Sequence, residues 1–342
     1  MRISENTERC SAPYCVFALI YKIYPPTYKK RYADKRYRKK GIIYMTKTGF
    51  IAILGRPNVG KSTLLNAMVG EKITIVSSKP QTTRNRITGI LTENENQYVF
   101  IDTPGMHTPR TKLGNYMVGT VEKTMGETDA AILVVEADPK IHRIEYDILE
   151  KLKKMSVPTI LAINKIDRSD AAKIAQTIQL FSDEYQFDSV VPISALKEKG
   201  IREVIDEAGK FLVESPWFFP DDMITDQPER KLAAEIIREK ILRLLKDEIP
   251  HGTAVTIEEF TDEKTLIRVR AEIFCERESH KRIIIGKGGE MLKRIGTYSR
   301  EDLETFFGVK VHLDLWVKVK EKWRDSNFYL NDFGYNLKKD FE

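Results

Sequence analysis

Residues Gly55-Arg56-Pro57-Asn58-Val59-Gly60-Lys61-Ser62 fit the pattern G-x-x-x-x-G-K-[ST], and no other stretch restricts the fold of this chain as tightly. The apolar run Phe50-Ile51-Ala52-Ile53-Leu54 enters it, and the helix-prone run Thr63-Leu64-Leu65-Asn66-Ala67-Met68 leaves it. A buried strand must therefore feed a glycine loop that opens a helix. In that setting backbone N–H groups wrap the α- and β-phosphates of a nucleotide, and Lys61 reaches the β- and γ-phosphates. Ser62 supplies a hydroxyl to Mg²⁺. The phosphate-binding candidates are Gly55, Asn58, Val59, Gly60, Lys61, Ser62 and Thr63.

A second set of motifs says what the phosphates belong to. Tyr98-Val99-Phe100-Ile101 reads as a buried strand, followed by Asp102-Thr103-Pro104-Gly105. An Asp at such a strand end holds Mg²⁺ through water, and the Gly105 N–H is placed to sense a γ-phosphate. Thr159-Ile160-Leu161-Ala162-Ile163 runs into Asn164-Lys165-Ile166-Asp167. The Asp167 carboxylate can accept from N1–H and from the exocyclic amine of guanine. Adenine lacks that amine and presents an acceptor at N1, so such a site rejects it by roughly 10⁴ or more. Val190-Val191-Pro192-Ile193 then leads to Ser194-Ala195-Leu196, whose backbone can buttress the base. Asn-Lys-x-Asp and Asp-Thr-Pro-Gly are ordinary turn sequences when met alone. Their order, their spacing and the strand before each make the set specific.

Together these segments resemble the translation-factor-type GTPases. The resemblance implies an α/β P-loop GTPase domain, a mostly parallel sheet with helices on both faces. It also implies a switch loop at Lys79-Pro80-Gln81-Thr82-Thr83-Arg84, in which a Thr completes Mg²⁺ coordination. Thr83 is favoured because the Thr directly before Arg matches the family pattern, with Thr82 as the alternative. The expected metal ligands are then Ser62, Thr83 and Asp102. One position departs from the Ras-like pattern, where a Gln just after Asp-x-x-Gly orients the attacking water. Met106 stands there, followed by His107. A thioether cannot orient a water; His107 can, although a single loop His is more often solvated. The chain thus resembles GTPases with a hydrophobic residue at that position, several of which use a monovalent cation. The resemblance implies slow hydrolysis stimulated by K⁺ through Asn58, with Lys61, Asn58 and Thr83 as the catalytic candidates.

From about Arg230 the character changes. Residues 231–242 carry apolar side chains at helical spacing, and alternating stretches around 254–260 and 266–274 read as strands. Gly286-Lys287-Gly288-Gly289 then forms a G-x-x-G turn between two helical segments. The KH module clamps four nucleotides with such a loop, and glycine is required where backbone approaches phosphate closely. The order helix, strand, strand, helix, loop, helix, strand is that of an α+β type II KH domain. Between Arg277 and Arg294 six basic residues stand against two acids. That local surplus favours RNA, and the contact candidates are Gly286, Lys287, Gly288, Gly289, Lys293 and Arg294. Trp316, in the strand-like run 309–320, is expected to pack in the core.

The full series, from Gly55–Ser62 through Gln81-Thr82-Thr83-Arg84 and the later motifs to Leu313-Asp314-Leu315-Trp316-Val317-Lys318-Val319-Lys320-Glu321-Lys322-Trp323-Arg324, is similar to the Era family of bacterial GTPases. The similarity extends from Thr48 to Trp323. It implies a GTP/GDP switch that binds single-stranded RNA near the 3′ end of 16S rRNA and acts in maturation of the 30S subunit. It further implies a cytoplasmic monomer with peripheral association at the cytoplasmic face of the cell membrane. The competing expectation is a GTP-dependent checkpoint protein whose C-terminal module binds protein or membrane.

Charge is informative only after the chain is divided. The formal net charge is +6, but residues 1–44 carry +8 and the remainder −2. The basic balance therefore says nothing of RNA binding by the folded part, which rests on local clusters. Residues 1–44 also hold seven of the fourteen tyrosines and two of the three cysteines, Cys10 and Cys15, without sustained periodicity. They are expected to be a disordered basic extension, with Met45 as the native start; the alternative is an arm that binds RNA or membrane. The expected division is 45–214 for the GTPase domain, 215–229 for a linker begun by Pro216 and Pro220, and 230–342 for the KH domain with its tail. Phe218 and Phe219 are expected to dock across the interface. Cys275 is expected to be an inert thiol in or beside a strand, and the cysteines show no metal-ligand spacing.

Overall fold

A computed structural model describes residues 38–39 and 42–43 by backbone alone, and residues 46–77 and 79–337. Arg38–Lys39 and Ile42–Ile43 pair antiparallel. The expected extension over 1–44 and the start at Met45 otherwise lie outside the described residues. Thr46–Tyr335 form one compact unit, and the description that follows concerns it.

Its first half is a seven-stranded sheet flanked by helices on both faces. In chain order the strands are β1 (Lys47–Leu54), β2 (Ile87–Glu93), β3 (Asn96–Asp102), β4 (Ala130–Glu136), β5 (Thr159–Asn164), β6 (Ser189–Pro192) and the short β7 (Val213–Glu214). The spatial order is β2-β3-β1-β4-β5-β6, with β7 beside β1. β2 and β7 run antiparallel to their neighbours and every other pair is parallel. The helices are α1 (Lys61–Val69), α2 (Lys112–Gly126), α3 (Arg143–Met155), α4 (Ala171–Glu184) and α5 (Ile201–Gly209).

Continuous apolar runs form these strands because both sheet faces are covered. Along β1 and β4 the side chains divide by parity, as a period of two requires. Ile51, Ile53, Ile132 and Val134 pack with Leu64, Leu65 and Val204 of α1 and α5 on one face. Ala52, Leu54, Leu133 and Val135 pack with Val121, Ile148, Leu149 and Phe181 of α2, α3 and α4 on the other.

The second half contains α6 (Glu229–Leu244), β8 (Ala254–Asp262), β9 (Leu266–Cys275), α7 (Glu278–Ile285), α8 (Glu290–Phe307) and β10 (Lys310–Val319), followed by α9 (Asn327–Asp332). β9 is central, antiparallel to β8 and parallel to β10. One face of this sheet is covered, so β9 alternates between buried and exposed positions. Ile237, Ile241, Ala271, Ile273, Ile284, Ile295 and Val317 form its main core. This is the element order expected of a type II KH domain. Cys275 is buried in β9, and burial pushes its thiol up to about 11.

Two local expectations are corrected. Trp316 is not in the core: it is 61% exposed. Leu313, Leu315 and Val317 alternate inward along β10, so the intervening residue must face out. The buried tryptophan is Trp323, whose Nε1 donates to Gly252 O at 2.9 Å. The segment 215–229 is also more closely held than a free linker. Gln97, fully buried, accepts from Phe218 N and Phe219 N and donates to Phe219 O at 2.9–3.0 Å. The Phe218 ring lies 5.5 Å from that of Phe50. Farther along, Thr225 Oγ1 donates to Thr88 O and Ile90 N donates to Ile224 O. Phe218 and Phe219 thus dock on the seven-stranded sheet itself.

Candidate functional site

The glycine loop between β1 and α1 borders a cavity of about 310 Å³ at the carboxyl ends of the parallel strands, where open α/β sheets bind ligands. Asn58, Gly60, Lys61, Ser62, Thr63, Thr83, Gly105, Asn164, Lys165, Asp167 and Leu196 all line it. Segments separated by more than a hundred residues are therefore brought to one place.

Gly60 and Gly105 are fixed by close approach, as is Gly55, where a Cβ would lie 2.4 Å from Val134 O. Gly60 has φ +103°, and a Cβ there would lie 2.2 Å from Asn164 Nδ2. A Cβ on Gly105 would meet Pro57 backbone at 2.8 Å. The loop is thus pressed on one side against the base-end motif and on the other against the Asp-Thr-Pro-Gly turn.

At the phosphate end, the Lys61 ammonium donates to Gly55 O and Arg56 O, each at 3.1 Å. Burial lowers its pKa to about 8, opposed by the charge of Asp102. Ser62 Oγ donates to Asp102 Oδ2 at 2.5 Å and lies 2.8 Å from Thr83 Oγ1, which is itself 3.3 Å from that carboxylate oxygen. The three expected metal ligands, from three separate motifs, thus form one cluster. Thr82 is held elsewhere, its hydroxyl donating to Lys79 O at 2.7 Å. Asp102 Oδ1 is buried without a hydrogen-bond partner, and burial raises the carboxyl pKa to about 6. An orphaned carboxylate oxygen beside two hydroxyls fits a hard cation that keeps several waters and takes the rest of its shell from phosphate. Among the described residues no group of three His, Cys, Asp or Glu side chains could hold a metal by itself.

At the base end, Asn164 acts as the tie. Its Nδ2 donates to Val59 O at 2.8 Å, while its Oδ1 accepts from Lys165 N and Ala195 N at 2.8 and 2.9 Å. One side chain therefore joins the glycine loop, its own motif and the Ser194-Ala195-Leu196 turn. Ser194 Oγ donates to Asp167 Oδ1 at 2.5 Å, and this bond holds the Asp167 carboxyl below the usual range. Asp167 stays ionised as an acceptor and lines the cavity, with Oδ2 3.7 Å from Arg168 Nε. The Lys165 ammonium donates to Asn58 O at 2.8 Å and pairs with Glu136.

The sequence motifs do not reveal the brace beneath the loop, in which Arg56 pairs with Glu136 at 2.9 Å and Glu145 at 3.0 Å. No motif points to those acids, which reach the loop only through the packing of β4 and α3. Thr103 is buried and donates to Ile53 O at 2.7 Å, so it supports the turn from behind. Pro104 is also buried. Met106 packs in the sheet core, and His107 Nδ1 lies 3.0 Å from Gly105 O; neither lines the cavity.

In the second half, Gly286 has φ +76°, and a Cβ on it would meet Met291 N at 2.9 Å. Gly288 and Gly289 also have positive φ, yet a Cβ on either would meet nothing within 4 Å. Gly286 is thus required by the turn, whereas the next two leave backbone open to a ligand. Gly289 and Lys293 line a groove of about 360 Å³ with Leu292, Gly296, Thr297, Arg300, Leu313 and Leu315. Lys287 and Arg294 are exposed outside its lining. Arg294 lies one residue around the helix from the groove face, whereas Arg300 falls on it. The spacing Lys293, Gly296, Arg300 is the helical signal that marks Arg300.

The Gly60 contact yields a direct test. Gly60→Ala must displace Asn164 and hold an alanine at positive φ. It is expected to weaken GDP binding by about 100-fold or more, close to 2.8 kcal/mol. Gly70→Ala, with nothing within 4 Å of its Cβ, serves as the control. Isothermal titration checks it; wild-type affinity in Gly60→Ala would refute the packing argument.

Known proteins resemble both halves of this chain. The family model for 50S ribosome-binding GTPases matches residues 50–165, and the KH domain model matches residues 248–324. GTPase Era of Clostridium kluyveri is 51% identical over 292 residues, covering 85% of this chain and all of that protein. The crystal structure of an Aquifex aeolicus Era variant bound to GDP·AlF4⁻ superposes with a TM-score of 0.82 at 40% identity, over 85% of this chain and all of the other. Era in complex with MgGDPNP and nucleotides 1506–1542 of 16S ribosomal RNA gives the same TM-score, identity and coverage. With the glycine loop, the guanine-side motif and the KH order in one chain, and identity sustained over a relative's full length, this protein belongs to the Era family of GTPases.

Proposed function

We propose that this protein is a GTP-hydrolysing switch that binds single-stranded RNA near the 3′ end of 16S rRNA and times its release during maturation of the 30S subunit. The observation that carries the reading is the meeting of Ser62, Thr83 and Asp102 at one end of a cavity and Asn164, Asp167 and Ser194 at the other. A guanine nucleotide has the matching polarity, with charge at one end and a donor edge at the other. The relative solved with MgGDPNP and a 16S rRNA fragment supports both ligands.

Within that reading Lys61 binds the β- and γ-phosphates, and the backbone of Gly55, Asn58, Val59, Gly60 and Thr63 wraps the chain of phosphates. Ser62, Thr83 and Asp102 would hold Mg²⁺, which would supply positive charge against the phosphates. Gly105, in the turn Thr103-Pro104-Gly105, reports the γ-phosphate, and Asp167 selects guanine, supported by Lys165, Ala195 and Leu196. Thr83 rather than Thr82 is the switch ligand, because the Thr82 hydroxyl is engaged by Lys79 O. Met106 is buried and offers no polar atom to a water, so the position after Gly105 supplies no orienting side chain. Asn58 lines the cavity and supports a K⁺ site beside the phosphates. Lys293 and Arg300 meet RNA phosphates along the groove, and the open backbone at Gly288 and Gly289 admits the strand. The protein works in the cytoplasm as a monomer and touches the inner membrane face only peripherally. Among the described residues no helix is long and apolar enough to cross a membrane.

Two outcomes are expected. Gly288→Asp places a negative group where space is open and φ is tolerated by Asp. It should lower affinity for a 3′-terminal 16S rRNA oligonucleotide by about tenfold or more while leaving RNA-free GTP hydrolysis unchanged. Unchanged RNA affinity, read by fluorescence anisotropy, contradicts the KH assignment. Single-turnover hydrolysis should also run faster in K⁺ than in Na⁺ at equal ionic strength, and Asn58→Ala should abolish that difference. Equal rates in the two salts remove the K⁺ site.

A further inference from the structure

Thr83 is bracketed by two arginine anchors, and both depend on the KH half. On its C-terminal side Arg84, 1% exposed, donates through Nη1 to Thr253 O at 2.7 Å and through Nη2 to His251 O at 2.9 Å. Its guanidinium carbon lies 5.7 Å from the Trp323 ring. On its N-terminal side Arg238 of α6, also 1% exposed, donates through Nη2 to the Thr82 carbonyl and pairs with Glu235. Farther upstream, Val76 N donates to Glu239 Oε1 at 3.2 Å, and the Lys79 ammonium donates to Leu245 O.

The bond to the Thr82 carbonyl has the most direct effect on Thr83. The Thr82 carbonyl and the Thr83 N–H belong to one planar peptide unit, so fixing the oxygen fixes the plane from which Thr83 departs. A buried guanidinium held by Glu235 is a stiff, charge-assisted donor. A switch loop without such a tether would sample several arrangements, as exposed loops do, and Thr83 Oγ1 would spend less time beside Ser62 and Asp102.

We propose that Arg238 is a positioning residue for GTP hydrolysis: acting through the Thr82 carbonyl, it holds Thr83 at the Ser62–Asp102 cluster, so that the KH half completes the hydrolytic site of the same chain. The proposal rests on Thr83 as the switch ligand. A shift of α6 would move the ligand, which gives the RNA-binding half a direct mechanical route to the rate.

The test uses the full chain, with single-turnover hydrolysis at saturating GTP and over a Mg²⁺ series. Arg238→Ala is expected to lower kcat by about tenfold and raise the Mg²⁺ needed for half-maximal rate, with GDP affinity within about twofold of wild type. In a Thr83→Ala background, Arg238→Ala should cause no further loss, as for two residues acting as a unit. Lys72→Ala removes inter-half bonds to Glu239 and Asp302 without touching the Thr82–Thr83 peptide, and should leave both readouts unchanged. Arg238→Lys should fall between wild type and Arg238→Ala, since one ammonium must divide itself between Glu235 and the Thr82 carbonyl. Should Arg238→Ala fail to fold, the Lys variant is read in the same way, and wild-type values in it overturn the proposal. A silent Arg238→Ala beside a defective Thr83→Ala overturns the positioning role alone, as does an additive loss in the double variant. A silent Thr83→Ala overturns the switch-ligand reading and this proposal together.

Discussion

The carboxylate of Asp102, shared between the hydroxyls of Ser62 and Thr83, is the contact on which the rest of the site depends. It joins the end of β3, the first turn of α1 and the switch loop at one buried point. None of the three is near another in sequence. They meet because β1 and β3 are parallel neighbours, so the loop after β1 and the turn after β3 emerge at the same sheet edge. The switch loop leads into β2, whose first residue, Ile87, pairs with Asp102. It reaches the cluster while held by Arg84 and Arg238 to the KH half. Thr83 is therefore held from two directions, by the start of β2 and by the KH half.

The opposite end of the cavity follows a different logic. Asn164 uses one amide N–H and both lone pairs of its oxygen on protein, joining the glycine loop to the Ser194–Leu196 turn. Asp167 is instead prepared for a ligand, with one oxygen fixed by Ser194. Rigidity at Asn164 and availability at Asp167 are complementary: in the proposed function the first would set where the purine lies, and the second would decide which purine is accepted. Gly60 belongs to this end as much as to the phosphates, because it must let Asn164 approach.

Much of this is legible in the sequence, for a definite reason. The motifs report backbone geometry and hydrogen-bonding chemistry that few residues supply, so residue type and spacing alone locate Gly55–Ser62, Asp102–Gly105, Asn164–Asp167 and Gly286–Gly289. The choice of Thr83 over Thr82 needs the family pattern, and the Thr82–Lys79 hydrogen bond gives it a physical basis. Trp316 misleads because its residue type suggests burial, whereas the alternation of Leu313, Leu315 and Val317 around it turns it outward. Arg300 is visible in the helical spacing, although the G-x-x-G loop draws attention to Lys293 and Arg294 first. The Arg56 brace, the Gln97 strap and the arginines at the switch are not legible. Each joins positions at least 80 residues apart through contacts that only tertiary packing creates, within the first half for Arg56 and between the halves for the switch arginines.

Arg84 and Arg238 make the switch loop and the KH half one continuous structure, through which nucleotide state and RNA binding can be coupled. Coupling of this kind is reciprocal: the factor by which nucleotide changes RNA affinity equals the factor by which RNA changes nucleotide affinity. The most direct measurement is a four-cornered binding cycle on the intact chain. RNA affinity is measured with GDP and with a non-hydrolysable GTP analogue, and the affinities for both nucleotides are measured with and without RNA. Coupling predicts tighter RNA binding with the analogue, by about fivefold or more, and a matching RNA-induced preference for the analogue over GDP. Equal RNA affinity in the two nucleotide states would contradict it.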